Sequence, residues 1–239
     1  MTSPTIAIKS TVRLQLNAKT IYINKPSATS TILNMALEAP KFRYSTDAIM
    51  TSDEAKKFPW EKPIPVNSFW DSFPYCHARS VLHNFEVDNE TLRIDPESTD
   101  DHLTKSLLLI QLLQDKLARA EAAAPPPGSL HDSNYKKWYP IWQGIYALQE
   151  GAGLPDAEST VRMLVATRPV EGLEDNVVPP HMLAELLVKR EQYEEAEEVE
   201  KPVLAWIDAK PHLGRESPQA INARRFIAKA LWFQVRFSF

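Results

Sequence analysis

Glycine is scarce in this sequence, six in 239 residues. Loops that cradle phosphate need glycine wherever backbone must approach the ligand closely, and neither a dinucleotide fingerprint nor a P-loop is present. Cysteine is scarcer still: the single Cys76 excludes an internal disulfide and a cysteine-rich zinc site. Positive charge is not in excess either. With 27 basic and 31 acidic side chains the net charge is −4, so the chain has no basic stripe for a nucleic-acid backbone, and that partner class is set aside. Long apolar runs are missing, which removes a secretory signal and a membrane-spanning helix. The expectation is a soluble, cytoplasmic protein with no metal, no cofactor and no membrane or nucleic-acid partner.

What is present fits a folded protein, with 44% hydrophobic and 24% charged residues, and the length suits one large domain or two small ones. The fold class read from the pattern is mainly α, with a smaller α+β N-terminal region. Residues 1–124 form that region and end in a long amphipathic helix over about 100–123. Residues 125–134 are a Pro-rich linker, and residues 135–239 are helical.

Ile6, Ile8, Val12, Leu14, Leu16, Ile21 and Ile23 alternate with polar residues and predict a β-hairpin over 5–24, turning at Asn17-Ala18-Lys19. Thr29 to Leu37 suits a short helix. From Glu38 to Pro74 prolines and aromatics dominate, among them Phe58-Pro59-Trp60 and Phe69-Trp70, which reads as an extended segment strapped across the domain. Phe85, Val87, Leu92 and Ile94 flank Asp88-Asn89-Glu90 as a second candidate hairpin.

Asp71, Cys76, His77 and His83 form one cluster with the chemistry of a site. Trp60 and Trp70 could line a pocket beside it, as in an enzyme or a small-molecule-binding accessory protein. The adjacent His77 cannot easily aim its ring at the Cys76 sulfur, and one Cys with two His lacks a recognised metal spacing. The plain alternative is a half-buried thiol with surface or capping histidines.

Ser98 or Thr99 followed by Asp100 and Asp101 starts the long helix. Leu103, Leu107, Ile110, Leu113, Leu117 and Ala120 recur at threes and fours, and Leu108, Leu109 and Leu112 widen the stripe. That width favours burial against the rest of the protein, with self-association as the alternative. Lys105, Asp115, Lys116, Arg119 and Glu121 mark the expected solvated side. Beyond the linker Trp138, Trp142 and Tyr146 step by four along one helical face, as core or as a ligand platform. Arg224 and Arg225 on the last helix join them as candidate binding residues.

The C-terminal part repeats itself. Leu183-Ala184 is followed ten residues later by Tyr193, and Ile227-Ala228 by Phe237 (193 − 183 = 237 − 227 = 10). Leu148, Leu154 and Ala157 precede Leu187, Tyr193 and Ala196 by 39 residues (187 − 148), whereas the last copy is displaced by 44 (227 − 183). An Ala among Leu residues lets a second helix approach closely, and small residues at 157, 184, 196 and 228 would make helical hairpins.

At Leu183-Ala184, Leu187, Gln192-Tyr193-Glu194-Glu195-Ala196-Glu197 and the connector Leu213-Gly214-Arg215-Glu216-Ser217-Pro218 the chain resembles the tetratricopeptide family, more narrowly the kinesin-light-chain-like repeats abundant in fungal proteins. The likeness runs from about Tyr135 to Phe239, with the last repeat incomplete. It departs from the family where Glu191 and Val235 stand in place of the usual turn glycine, where Gly144-Ile145 reverses the large-then-small order, and at Pro202 inside a proposed helix. The resemblance implies a non-catalytic scaffold that holds a protein or peptide partner.

Overall fold

The computed structural model describes residues 41–43, 49–51, 62–85, 94–125, 128–167, 177–210 and 213–236. The chain divides into Met1–Glu38 and Ala39–Phe239, and every described residue belongs to the second unit. The hairpin expected over 5–24 and the helix over 29–37 lie outside the described residues, as does most of the hairpin expected between Phe85 and Ile94.

Among the described residues the protein is mainly α-helical, with one small sheet. Strands β1 (Lys41–Arg43), β2 (Ile49–Thr51) and β3 (Ile64–Pro65) form an antiparallel sheet in the order β2-β1-β3, with Phe42 opposite both Met50 and Pro65. Within the segment expected to be an extended strap, 38–74, the described residues thus include three short paired strands. Strands of two or three residues are too short for period two to register, and Pro65 is tolerated because β3 is an edge. The Arg43 guanidinium donates to the carbonyls of Phe73 at 2.7 Å and Trp70 at 3.3 Å, tying the sheet to a 3₁₀ turn at Trp70–Ser72.

Helix α1 (Tyr75–Leu82) follows. Its signal was Ala78, Val81, Leu82 and Phe85, spaced at threes and fours and all buried. Helix α2 (His102–Ala122) begins one residue after Asp101, whose carboxylate accepts from Thr104 N at 2.9 Å and Thr104 Oγ1 at 3.0 Å. The first half of its apolar face is rotated from the expected one. Leu103, Leu107 and Leu108 are 41–48% exposed, while Lys105 and Ser106 are buried. Lys105 lies over the Phe69 ring, 5.6 Å from its centroid, and donates to the Ser68 carbonyl at 2.8 Å, so its stem covers apolar surface while its charge finds an oxygen.

A short helix α3 (Leu130–Ser133), held by a Ser129/Asp132 capping box, interrupts the segment expected to be a linker. Then come α4 (Tyr135–Gly151), α5 (Ala157–Ala166), α6 (Val178–Lys189), α7 (Tyr193–Ala209) and α8 (Pro218–Arg236). From α3 onward each packs on its successor, and α6 also touches α8. Helices α1 and α2 dock on α4, so one apolar core runs from Ile64 through Leu109 and Leu113 to Ile141, Ile145 and Leu148. Leu117 and Trp142 join it to a second core containing Ala157, Leu183, Leu187 and Ala196.

Gly144 explains the docking on α4. A Cβ built there would lie 3.1 Å from Leu113 Cδ1 and 3.2 Å from the Ser80 carbonyl oxygen, so a bare α-carbon is what lets α1 and α2 meet this helix. Ala157, Ala184 and Ala196 are buried, as their spacing predicted. Ala228 is not: it faces solvent, and Ala220, Ala223 and Ala230 are buried in its place. The register of the last copy is thus corrected to the same 39-residue step (223 − 184), which also relates Ile145 to Ala184 (184 − 145) and Leu187 to Phe226 (226 − 187).

Pro202 does not break α7; its ring sits on the exposed side, and the helix continues to buried Val203 and Ile207. Glu191, at the joint between α6 and α7, has φ +62°, matching Gly153 and Gly214 at +66° and +67° in the neighbouring joints.

Glu191→Gly is expected to stabilise. A left-handed L-residue costs about 1–2 kcal/mol, and glycine's extra freedom in the unfolded chain offsets about 0.5–1 of that. Calorimetry should show Tm rising by about 2–4 °C. Gly144→Val should destabilise by about 2 kcal/mol through overpacking, seen as a lower urea midpoint. An unchanged midpoint would mean that α1 and α2 do not seat on this residue.

Candidate functional site

Helix α6 opens with Val178, Pro179 and Pro180, where missing N–H groups cost nothing because a first turn has no acceptors for them. The next residue, His181, points at two neighbouring helices. On one side its Nδ1 lies 2.5 Å from Oε1 of Glu200 on α7, a carboxylate with no solvent exposure. On the other its Nε2 lies 2.6 Å from Asn222 Nδ2 on α8. An amide nitrogen only donates, so Nε2 accepts and the ring proton sits on Nδ1, facing Glu200. The His181–Glu200 contact is short but off the hydrogen-bond axis: neither Glu200 oxygen nor Nδ1 has an aligned partner. Phe226 closes the ring's flank edge-on at 5.0 Å.

His181 and Asn222 form the polar floor of a groove of about 700 Å³ between α6 and α8, with Glu200 buried behind His181. Val177, Val178, Met182, Ile207, Pro218 and Ile221 supply apolar walls, and the rim residues Val178 and Ile221 are 43% and 56% exposed. Arg225 lines the groove and also the adjoining depression beside Lys189 and Lys229. Glu185, also on the wall, is engaged by Lys189 at 3.1 Å. No serine, threonine or cysteine lines the groove, so His181 has no nucleophile there to activate.

Of the binding residues expected from sequence, Arg225 reaches this groove and Arg224 does not. Arg224 braces the joint before α8, donating to both carboxylate oxygens of Asp208 at 2.6 and 2.9 Å and to the Arg215 carbonyl. Trp138 and Tyr146 are 6% exposed and belong to the core, with Trp142 half-buried between the two clusters, so they do not form an open ligand platform. The Tyr146 hydroxyl donates to the Met182 carbonyl at 3.1 Å. Burial, and then the Glu150 and Glu185 carboxylates, hold that phenol well above its ordinary pKa.

Asp71, Cys76, His77 and His83 serve separate neighbours. Asp71 is exposed in the 3₁₀ turn, and the Cys76 thiol is exposed where a half-buried one was expected. His77 faces α4, 3.5 Å from Glu150 Oε2 and so close to Gly151 that a Cβ there would meet its ring at 2.6 Å. Burial lowers its pKa more than Glu150 raises it. His83 caps α1 and accepts from Arg79 Nε at 3.2 Å, and burial with the Arg79 and Lys62 charges lowers its pKa. No group of three His, Cys, Asp or Glu side chains suited to a metal occurs among the described residues. No described helix is long and apolar enough to cross a membrane. The His181–Glu200–Asn222 trio escaped sequence reading because its members are 19 and 22 residues apart (200 − 181, 222 − 200) and no local pattern links them.

No protein-family model, curated protein or solved structure matches this chain.

His181→Ala would leave the Glu200 carboxylate alone in the interior. Leaving a buried polar group without its neighbour typically costs about 1–3 kcal/mol, and the guanidinium midpoint should fall accordingly. Joint replacement, His181→Phe with Glu200→Leu, should restore most of the loss. Equal midpoints for His181→Ala and the parent would show that Glu200 needs no partner.

Proposed function

We propose that the chain is a non-catalytic interaction module built of tetratricopeptide-like helical hairpins, and that its α6–α8 groove holds a segment of a protein or peptide partner. The observation that carries this reading is the groove itself. It has exposed apolar rims, a polar floor fixed by interhelical contacts, and a guanidinium, that of Arg225, without a hydrogen bond or ion pair among the described residues. Pockets that bind by shape are mostly apolar with a few placed polar groups, and this lining has that make-up. The repeat reading draws support from the 39-residue step linking Ile145, Ala184 and Ala223, all buried, on the alternate helices α4, α6 and α8. Sequential packing from α4 to α8, with the added α6 to α8 contact, fits the same reading. The favoured occupant is an extended or helical segment with apolar side chains for Val178 and Ile221 and a carboxylate for Arg225.

Selection of a random-peptide library on the immobilised full chain tests this. Apolar peptides carrying an acidic residue should be enriched, and Ile221→Asp or Arg225→Glu should weaken the selected peptides at least tenfold. Both positions are on the surface, so circular dichroism should be unchanged. Enrichment of no sequence, or binding indifferent to both substitutions, would rule out this groove.

A further inference from the structure

A second depression, of about 490 Å³, lies between α1, α2 and the start of α4, and all of its charged lining residues are basic. Lys62 enters from the approach to β3, His83 from the end of α1, Lys116 from α2, and Lys136 and Lys137 from the first turn of α4. Among the described residues no Asp or Glu lines it, in a chain where acids outnumber bases.

Its residues are held in different ways. Lys116 is committed, donating to the Asn84 carbonyl and lying 5.1 Å from the centroid of Phe85. Asn84, buried, donates to the carbonyls of Ser80 at 2.9 Å and Pro140 at 2.8 Å, which fixes the floor where α1 meets α4. The amines of Lys62, Lys136 and Lys137 have no hydrogen bond or ion pair among the described residues. Like charges gathered in one concavity repel, and a bound anion relieves that repulsion. The helix adds to the field: Lys136 and Lys137 sit at the positive end of the 17-residue α4.

We propose that this cleft binds a small phosphate-bearing ligand, with Lys62, Lys136 and Lys137 as its contacts and Lys116 as a fixed charge in the wall. Several amines meet in a confined space, which suits a compact ligand with two or more negative charges better than a monocarboxylate. The lowered pKa of His83, caused by burial and then by the Arg79 and Lys62 charges, agrees with a positive local field. This site is separate from the α6–α8 groove and does not depend on its role.

Inorganic pyrophosphate is the probe, titrated into the full-length protein by calorimetry at constant ionic strength, with orthophosphate and sulfate in parallel arms. Saturable one-to-one binding is expected, with pyrophosphate tighter than either single anion. Lys62→Met with Lys137→Met, which keeps the stems and removes the charges, should weaken it at least tenfold. Arg215→Met with Lys229→Met should leave it unchanged. In the unmodified protein, pyrophosphate should protect Lys62, Lys136 and Lys137 from acetylation, read by mass spectrometry, so a poorly folded variant does not blunt the test. Absence of saturable binding, equal affinity in the Lys62/Lys137 variant, or binding confined to a single-stranded oligonucleotide would overturn the proposal.

Discussion

Close approach of helix backbones is the constraint on which this structure rests, and Gly144 is where it is tightest. Two helices meet α4 there, one presenting the Ser80 carbonyl and the other the Leu113 side chain, and a single methyl group would press on both. Gly151 does the same for the His77 ring about two turns later. Farther along the chain the same demand is met by alanine, at Ala157, Ala184, Ala196 and Ala223, where helices pack on their successors. Small residues give up side-chain burial at their own position. They gain it for their neighbours, because larger side chains on each helix then reach the helix opposite.

The parts of the fold legible in sequence were those where one helix carries a long, self-consistent pattern. α2 and α6 carry Leu and Ala at threes and fours, α7 carries Val203 and Ile207 behind a run of acids, and the Asp101 start follows from local chemistry, whereas the joint at Ser217-Pro218 and the turn position at Glu191 were legible only through the family resemblance. The failures have physical causes. Ala228 was chosen because Ile227 precedes it, but α8 buries Ala220, Ala223 and Ala230, so its contact face is made of small residues and lacks the large-small signature. Lys105 was assigned to solvent by its charge, whereas its four-carbon stem is long enough to cover Phe69 and still deliver the amine to a carbonyl. In α1 only eight residues carry the pattern, and Cys76 and His77 stand ahead of the apolar spacing of Ala78, Val81 and Leu82 that makes the helix. The groove trio had no local trace at all; of its surroundings only Arg225 was anticipated.

Buried polarity is handled by bridging between elements. Asn84 joins α1 to the Pro140 carbonyl of α4, and Arg43 ties β1 to the lead-in of α1. Tyr146 reaches across to α6. Each such bond fixes one relative position of two elements, which apolar contacts alone do weakly, because apolar surfaces slide at little cost. Glu200 is the exception: its side chain is fully buried at the junction of α6, α7 and α8, and its contact with His181 is off the hydrogen-bond axis.

Ionic pairing elsewhere gives meaning to the cations that lack it. Between α4 and α7 the exposed charges form a chain of cross-helix contacts: Glu150 and Glu185 share Lys189, Glu158 and Glu195 share Arg162, and Arg190 also reaches Glu158. Such surface pairs stabilise little individually, but they show that where this helical surface offers an acid within reach, its bases take it. Acids are the majority in this chain. Among the described residues no acid pairs with Arg225 in the apolar groove, where Glu185 is already engaged by Lys189, or with Lys62, Lys136 and Lys137 in the polar depression. The two places differ in what surrounds the charge: apolar rims around a single guanidinium in one, and several lysines around the Asn84 floor in the other.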